Sequence, residues 1–66
     1  MTAYYLPADE VRPGDILPDA SRYPVTGVTV FPHESVRVTF GGGSFIRHYP
    51  HGGPGIGYPA VRIERA

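Results

Sequence analysis

Residues 25–49 read VTGVTVFPHESVRVTFGGGSFIRHY, three short runs in which apolar and polar side chains alternate, and this stretch decides the fold. In the clearest run, residues 36–40, Val36 and Val38 fall on one side and Arg37 falls on the other. A period of two residues is typical of a β-strand with one buried face. Residues that favour turns separate the runs. The stretch therefore predicts a three-stranded antiparallel meander.

The rest of the chain argues against long helices. Its 66 residues include eight prolines and nine glycines, spaced so that almost no stretch accommodates three helical turns. Proline lacks the N–H that a helix needs and clashes with the preceding turn. Glycine costs about 1 kcal/mol relative to alanine in a helix. We therefore expect an all-β fold.

Two further short runs extend the predicted sheet beyond the meander. Ile16–Leu17 follows a Pro-Gly-Asp turn, and Ala60–Glu64 repeats the alternation near the end of the sequence. Five short strands separated by turns predict a small closed barrel. In this interpretation residues 11–66 form one domain, and residues 1–10 form an irregular N-terminal leader that either docks as an edge strand or stays loose.

The predicted interior consists of the apolar side chains at the inner positions of the runs: Ile16, Val28, Val30, Val36, Val38, Phe40, Ile46, Val61 and Ile63. The run at 44–49 is ambiguous, because either Ile46 and His48 or Phe45, Arg47 and Tyr49 can face inwards. Burial of a large aliphatic side chain contributes roughly 2 kcal/mol, and the ordering entropy of the chain opposes the sum. So small a core favours association with a partner or a second copy.

The order of these elements resembles that of SH3-like small barrels. A V-x-P-G-D-x-[ILV] sequence at Val11–Leu17 precedes the first strand, a longer loop follows, and the tight meander leads to a last strand. The resemblance covers residues 11–64 and implies a module that binds protein or nucleic acid. The chain has no tryptophan and no ALYDY-like aromatic sequence, so we do not expect it to bind proline-rich ligands. An OB-like barrel is the alternative, although that fold usually needs more residues.

The candidate binding surface is an outward sheet face that combines cations with aromatic rings. The residues assigned to it are Arg37, Arg47, Arg62, Phe45 and Tyr49. Surfaces that bind single-stranded nucleic acid place cations on phosphates and rings against bases. The same residue types also occur on solvated sheet faces, where they pack against cross-strand neighbours.

Other motifs point to no metal, cofactor or catalytic site. His48 and His51 have H-x-x-H spacing, but a strand and loop lack the helical register of zinc signatures, and the chain has no cysteine. The Gly/Pro-rich loop at residues 50–59 lacks the lysine and the following helix of a phosphate-binding loop. No spacing of serine, histidine and aspartate selects a catalytic trio. We expect a non-enzymatic protein without a small-molecule cofactor.

The composition favours a cytoplasmic protein that does not contact membranes. No apolar run approaches the ~18 residues of a membrane span, and acidic residues near the N-terminus stand where a secretion signal carries basic ones. All six cations are arginine, which is consistent with a GC-rich genome and with an accessory protein of a bacterium or a phage.

Two functions remain open. The first is a small adaptor that binds a protein partner or associates with itself. Its five tyrosines and six arginines favour this hypothesis, because both residue types are enriched at interfaces. The alternative is a nucleic-acid-binding module that uses the Arg/aromatic face. The formal net charge of zero places it second, because nucleic-acid-binding domains are usually basic.

Overall fold

The computed structural model describes residues 2–50 and 57–65 and shows a six-stranded antiparallel sheet. The elements are β1 (Thr2–Pro7), a 3₁₀ turn (Ala8–Glu10), β2 (Ile16–Leu17), β3 (Tyr23–Phe31), β4 (Ser35–Phe40), β5 (Gly43–His48) and β6 (Ala60–Arg65). The strand order across the sheet is β1-β6-β2-β3-β4-β5. The all-β prediction is confirmed. In the described ranges, no helix has the length and hydrophobicity that a membrane span requires.

The prediction of a closed five-stranded barrel is wrong in two respects. The leader, expected either to dock as an edge strand or to stay loose, docks as a sixth strand, β1, which pairs with β6 from Thr2–Arg65 to Pro7–Ala60. This sixth strand forms because Tyr4 and Leu6 pack against the core on alternate positions. Across residues 2–50 and 57–65, β1 and β5 are the two ends of the strand order and do not pair, so the sheet remains open.

The predicted Pro-Gly-Asp turn is present and connects three parts of the sheet. The N–H of Asp15 donates to the carbonyl of Arg12 at 3.1 Å, and Gly14 has a φ of 97°, as the third position of a type II turn requires. The N–H of Gly14 donates to the Val25 carbonyl at 2.8 Å, and the N–H of Val25 donates to the Asp15 carbonyl at 2.7 Å. These bonds hold the turn against β3.

The side chain of Asp15 connects the same turn to the last strand. Its carboxylate accepts hydrogen bonds of 2.8 and 2.7 Å from the Arg65 guanidinium and of 2.9 Å from the Arg12 N–H. Asp15 is buried. The hydrogen bonds from Arg65 hold the pKa of Asp15 below its usual value, although burial acts in the opposite direction. The charged pair thus connects β6 to the start of β2.

The meander follows the predicted turns, with one irregularity in β3. Val28 is opposite Val38, whereas Val25 is opposite Phe40, so Thr26 is an extra residue in the strand. Such a bulge changes the face on which the preceding residues lie. As a result Val25 and Val28 both point to the interior, and Val25 is almost fully buried.

The core differs from the prediction at several positions. Its buried apolar residues are Ala8, Val11, Leu17, Val25, Val36, Val38, Tyr58, Val61 and Ile63. Two predicted core residues, Val30 and Ile46, are each 43% exposed. Val30 lies near the end of β3 and lines a cavity, and Ile46 lies opposite Arg37 on the outer face. The other predicted members, Ile16, Val28 and Phe40, are half-buried.

Candidate binding groove

Strand β6 is paired on both sides in its C-terminal half and on one side in its N-terminal half. Strand β1 pairs with all of β6, but β2 reaches it at a single pair, Ile16–Glu64. Within the described chain, residues 60–62 therefore have a strand partner on the β1 side alone. Likewise β5 pairs with β4 and has no described strand on its other side. Two incompletely paired strands are thus available to form the walls of a groove.

A groove of about 300 Å³ contacts both of these strands, and we call it the β5–β6 groove. Its lining residues are Tyr5, Leu17, Asp19, Ala20, Phe45, Arg47, Ala60, Val61 and Arg62. Tyr5 is 68% exposed. The groove therefore combines exposed and buried apolar surface with two guanidinium groups and one carboxylate.

Arg47 lies on the inner face of β5 because of the strand register. It is opposite Val36, and its neighbour Phe45 is opposite Val38; both valines are fully buried. The Arg47 guanidinium carbon lies 4.6 Å from the centre of the Phe45 ring, a cation–π contact. One guanidinium nitrogen donates to the carbonyl of Ile46 at 3.2 Å. No described carboxylate forms an ion pair with Arg47.

Arg62 lies on the opposite wall and has a carboxylate partner. Its guanidinium is 3.1 Å from an oxygen of Asp19, and the two side chains are 41% and 72% exposed. An ion pair this exposed contributes little to stability because water and salt screen it. Either member can therefore exchange its partner for an external charged group at small cost.

The loop at the end of the groove is held in a strained conformation. The N–H of Tyr23 donates to the Ala20 carbonyl at 3.2 Å, and between them Ser21 and Arg22 have φ values of 55° and 59°. Both values lie in the left-handed region, which side chains other than glycine adopt at a cost. The Arg22 guanidinium donates a hydrogen bond of 3.1 Å to one Glu64 carboxylate oxygen and lies 2.6 Å from the other, and this hydrogen bond lowers the pKa of Glu64. The loop is thereby fixed to β6.

The structure brings together three of the five residues proposed from sequence. Phe45, Arg47 and Arg62 all line the groove. Arg37 is opposite Ile46 in the register, one residue out of phase with Arg47, so it lies on the other face of the sheet.

The fifth residue, Tyr49, belongs to a separate aromatic cluster. Its ring lies edge-on to His33 at 5.3 Å and to Tyr58 at 5.1 Å. The Tyr58 hydroxyl donates to the carbonyl of Phe31 at 2.9 Å, which ties the segment before β6 to the end of β3. The cluster borders a second cavity of about 240 Å³ that Val30 also lines.

Sequence reasoning missed the contributions of Tyr5, Asp19 and Ala20 to the groove. From sequence, Tyr5 falls in the N-terminal leader, although its alternation with Tyr4 and Leu6 is a signal for a strand. Asp19 and Ala20 occupy a loop whose position depends on tertiary packing. Among the described residues, no group of three His, Cys, Asp or Glu side chains is placed to hold a metal ion. His51 and most of the Gly/Pro-rich loop lie outside the described residues.

No protein-family model, curated protein or solved structure matches this chain. The resemblance to SH3-like barrels is therefore not confirmed.

Proposed function

We propose that this chain is a small non-enzymatic binding module that associates with a polypeptide through the β5–β6 groove. The observation that carries the proposal is that two incompletely paired strands line the same groove. A strand edge presents unpaired N–H and C=O groups, which makes it a template for another chain. Surface of this kind binds polypeptide backbone without requiring a reactive side chain.

The side chains of the groove support the same function. Its aromatic and cationic members are Tyr5, Phe45, Arg47 and Arg62, and tyrosine and arginine are residue types that contribute strongly to protein interfaces. The groove's one described acid, Asp19, is already paired with Arg62. A binding role fits this set better than acid–base catalysis, which uses a titratable group near neutral pH.

Selection from a displayed library of short random peptides tests the proposal. Wild-type protein is expected to enrich a peptide family, and Ala60→Trp is expected to abolish the enrichment because the indole occupies the groove. Ala3→Trp is the matched control, since it adds the same ring at an exposed position of β1 outside the groove lining. Equal enrichment by wild type and Ala60→Trp, or none by wild type, would contradict the proposal.

Nucleic-acid binding is the second candidate, and one observation favours it. The Arg47 guanidinium over Phe45, with Tyr5 and Arg62 in the same groove, combines rings and cations as single-strand-binding surfaces do. Titration with a short single-stranded oligonucleotide at increasing salt separates the two functions. A logarithm of the binding constant that falls linearly with the logarithm of the salt concentration supports phosphate contacts.

A further inference from the structure

We infer that the partner inserts one extended strand between β5 and β6 and presents a carboxylate to Arg47. This inference rests on the proposed function and names the partner class: an acidic polypeptide segment in β conformation. The observations behind it are the incomplete pairing of β5 and β6, the charge of the groove and its small lining residues.

Both walls of the groove have backbone groups without a described strand partner. A strand placed between two others donates and accepts hydrogen bonds alternately on its two sides. The groove offers both sides, since β5 has a described partner in β4 alone and residues 60–62 of β6 have one in β1 alone. An inserted strand would continue the sheet from β5 to β6 and close it. Association of a strand with a single edge would satisfy half of those groups.

The side chains that line the groove carry a net positive charge. Arg47 and Arg62 face the groove and Asp19 is its one acidic lining residue, which leaves an excess of one positive charge. The Arg47 guanidinium is held over the Phe45 ring and forms no ion pair with a described carboxylate. A guanidinium held in a fixed plane donates hydrogen bonds to a carboxylate with little loss of side-chain freedom.

Small side chains in the groove lining leave room for a ligand. The small residues Ala20 and Ala60 line the groove, so side chains of an incoming strand have room beside them. Adjacent strands lie about 4.8 Å apart, so a main chain paired with β5 would place alternate side chains on the face that carries Arg47. The lining thus suits a narrow, extended ligand better than a folded surface.

Charge also selects a different protein over a second copy as the source of the strand. Within the described residues, the strands of a second copy that are unpaired along a whole side are β1 and β5. The residues of β1, TAYYLP, include no acid, and those of β5, GSFIRH, include Arg47 and His48. Neither edge supplies a carboxylate, and β5 would bring a second cation into the groove.

The experiment uses a peptide enriched on the wild-type protein, measured by calorimetry and by NMR of the labelled protein. Arg47→Gln is expected to weaken binding about tenfold, the effect of losing one charge-assisted hydrogen bond. Arg37→Gln is the matched control, because it removes the same charge from the opposite face of the neighbouring strand, and we expect an unchanged Kd. Far-ultraviolet circular dichroism of both variants establishes that they remain folded.

N-methylation of the peptide, one residue at a time, tests the insertion itself. A strand paired on both sides loses affinity when any central residue is methylated, whereas a strand on one edge is sensitive at alternate residues alone. Sensitivity at alternate residues alone would overturn the insertion. Equal Kd values for Arg47→Gln and wild type would overturn the choice of an acidic partner. Both outcomes leave the proposed function standing, because peptide binding blocked by Ala60→Trp is measured independently.

Two further results would overturn this inference in favour of other ligands. A mass that rises with concentration in wild type and not in Ala60→Trp would identify a second copy as the occupant. Salt-dependent oligonucleotide binding lost in Arg47→Gln, with no peptide enriched, would identify a nucleic acid.

Discussion

The two halves of β6 differ in almost every property that matters for stability. In the C-terminal half, Ile63 is fully buried and Arg65 bonds to the buried carboxylate of Asp15. In the N-terminal half, Arg62 pairs with an exposed acid, and Ala60 and Val61 line the groove. One strand therefore places its fully buried and ion-paired contacts in one half and exposes Ala60 and Arg62 to the groove in the other, and Val61 belongs to both the core and the groove. The strongest stabilising contacts of β6 are thus at Ile63 and Arg65, and most of its contribution to the candidate site is at Ala60 and Arg62.

The largest difference between the halves is expected from truncation of their buried side chains. Ile63→Ala should lower the free energy of unfolding by about 3 kcal/mol, because it removes a fully buried side chain and leaves a cavity. Val61→Ala, next to the groove, should cost about 1.5 kcal/mol. Urea denaturation of both variants measures the difference, and equal losses would contradict the distinction between the halves.

The next difference concerns the two ion pairs. Asp15→Asn should lower the free energy of unfolding by about 2 kcal/mol, because the buried carboxylate accepts three hydrogen bonds, two of them from Arg65. Urea denaturation at neutral pH measures the loss. Asp19→Asn is the control at the exposed pair with Arg62, and about 0.5 kcal/mol is expected there. A larger loss of stability at Asp19 than at Asp15 would show that burial does not determine which ion pair contributes more to the free energy of unfolding.

The smallest difference is expected in the dependence of stability on pH. The pKa of Asp15 is lowered in the folded protein by its hydrogen bonds from Arg65, so its contribution is complete above the unfolded-state pKa of about 4 and is lost as pH falls through the folded-state value. Wild type should lose stability between about pH 5 and pH 2 more steeply than Asp15→Asn. Denaturation midpoints across that range test the difference. Parallel curves would contradict it.

Much of the fold could be predicted from alternation and turn chemistry, and the exceptions have physical causes. The Pro-Gly-Asp turn, the meander and the buried pairs Val36/Val38 and Val61/Ile63 follow from local sequence. Strict alternation cannot place Val25 inwards, because the bulge at Thr26 depends on pairing with β4. The role of Tyr58, which is buried and bonds to Phe31, depends on contacts between segments far apart in sequence.

The candidate site was predicted less well, because a face depends on register as well as residue type. If Ile46 is assigned to the core, strict alternation places both Arg37 and Arg47 on the outer face of the sheet. Pairing of Arg47 with Val36 and of Arg37 with Ile46 places them on opposite faces. The groove also forms only where β1 and the loop after β2 lie side by side. Local sequence patterns do not specify such contacts between segments that are far apart in the chain.

The extra residue in β3 has a consequence for changes of chain length. Because Thr26 is unmatched on β4, its deletion would restore uninterrupted pairing and rotate the preceding residues to the other face. Val25 would then point to solvent, and its two hydrogen bonds with Gly14 and Asp15 would be broken. Many replacements of the Thr26 side chain would keep this arrangement. At this position the number of residues matters more than their identity.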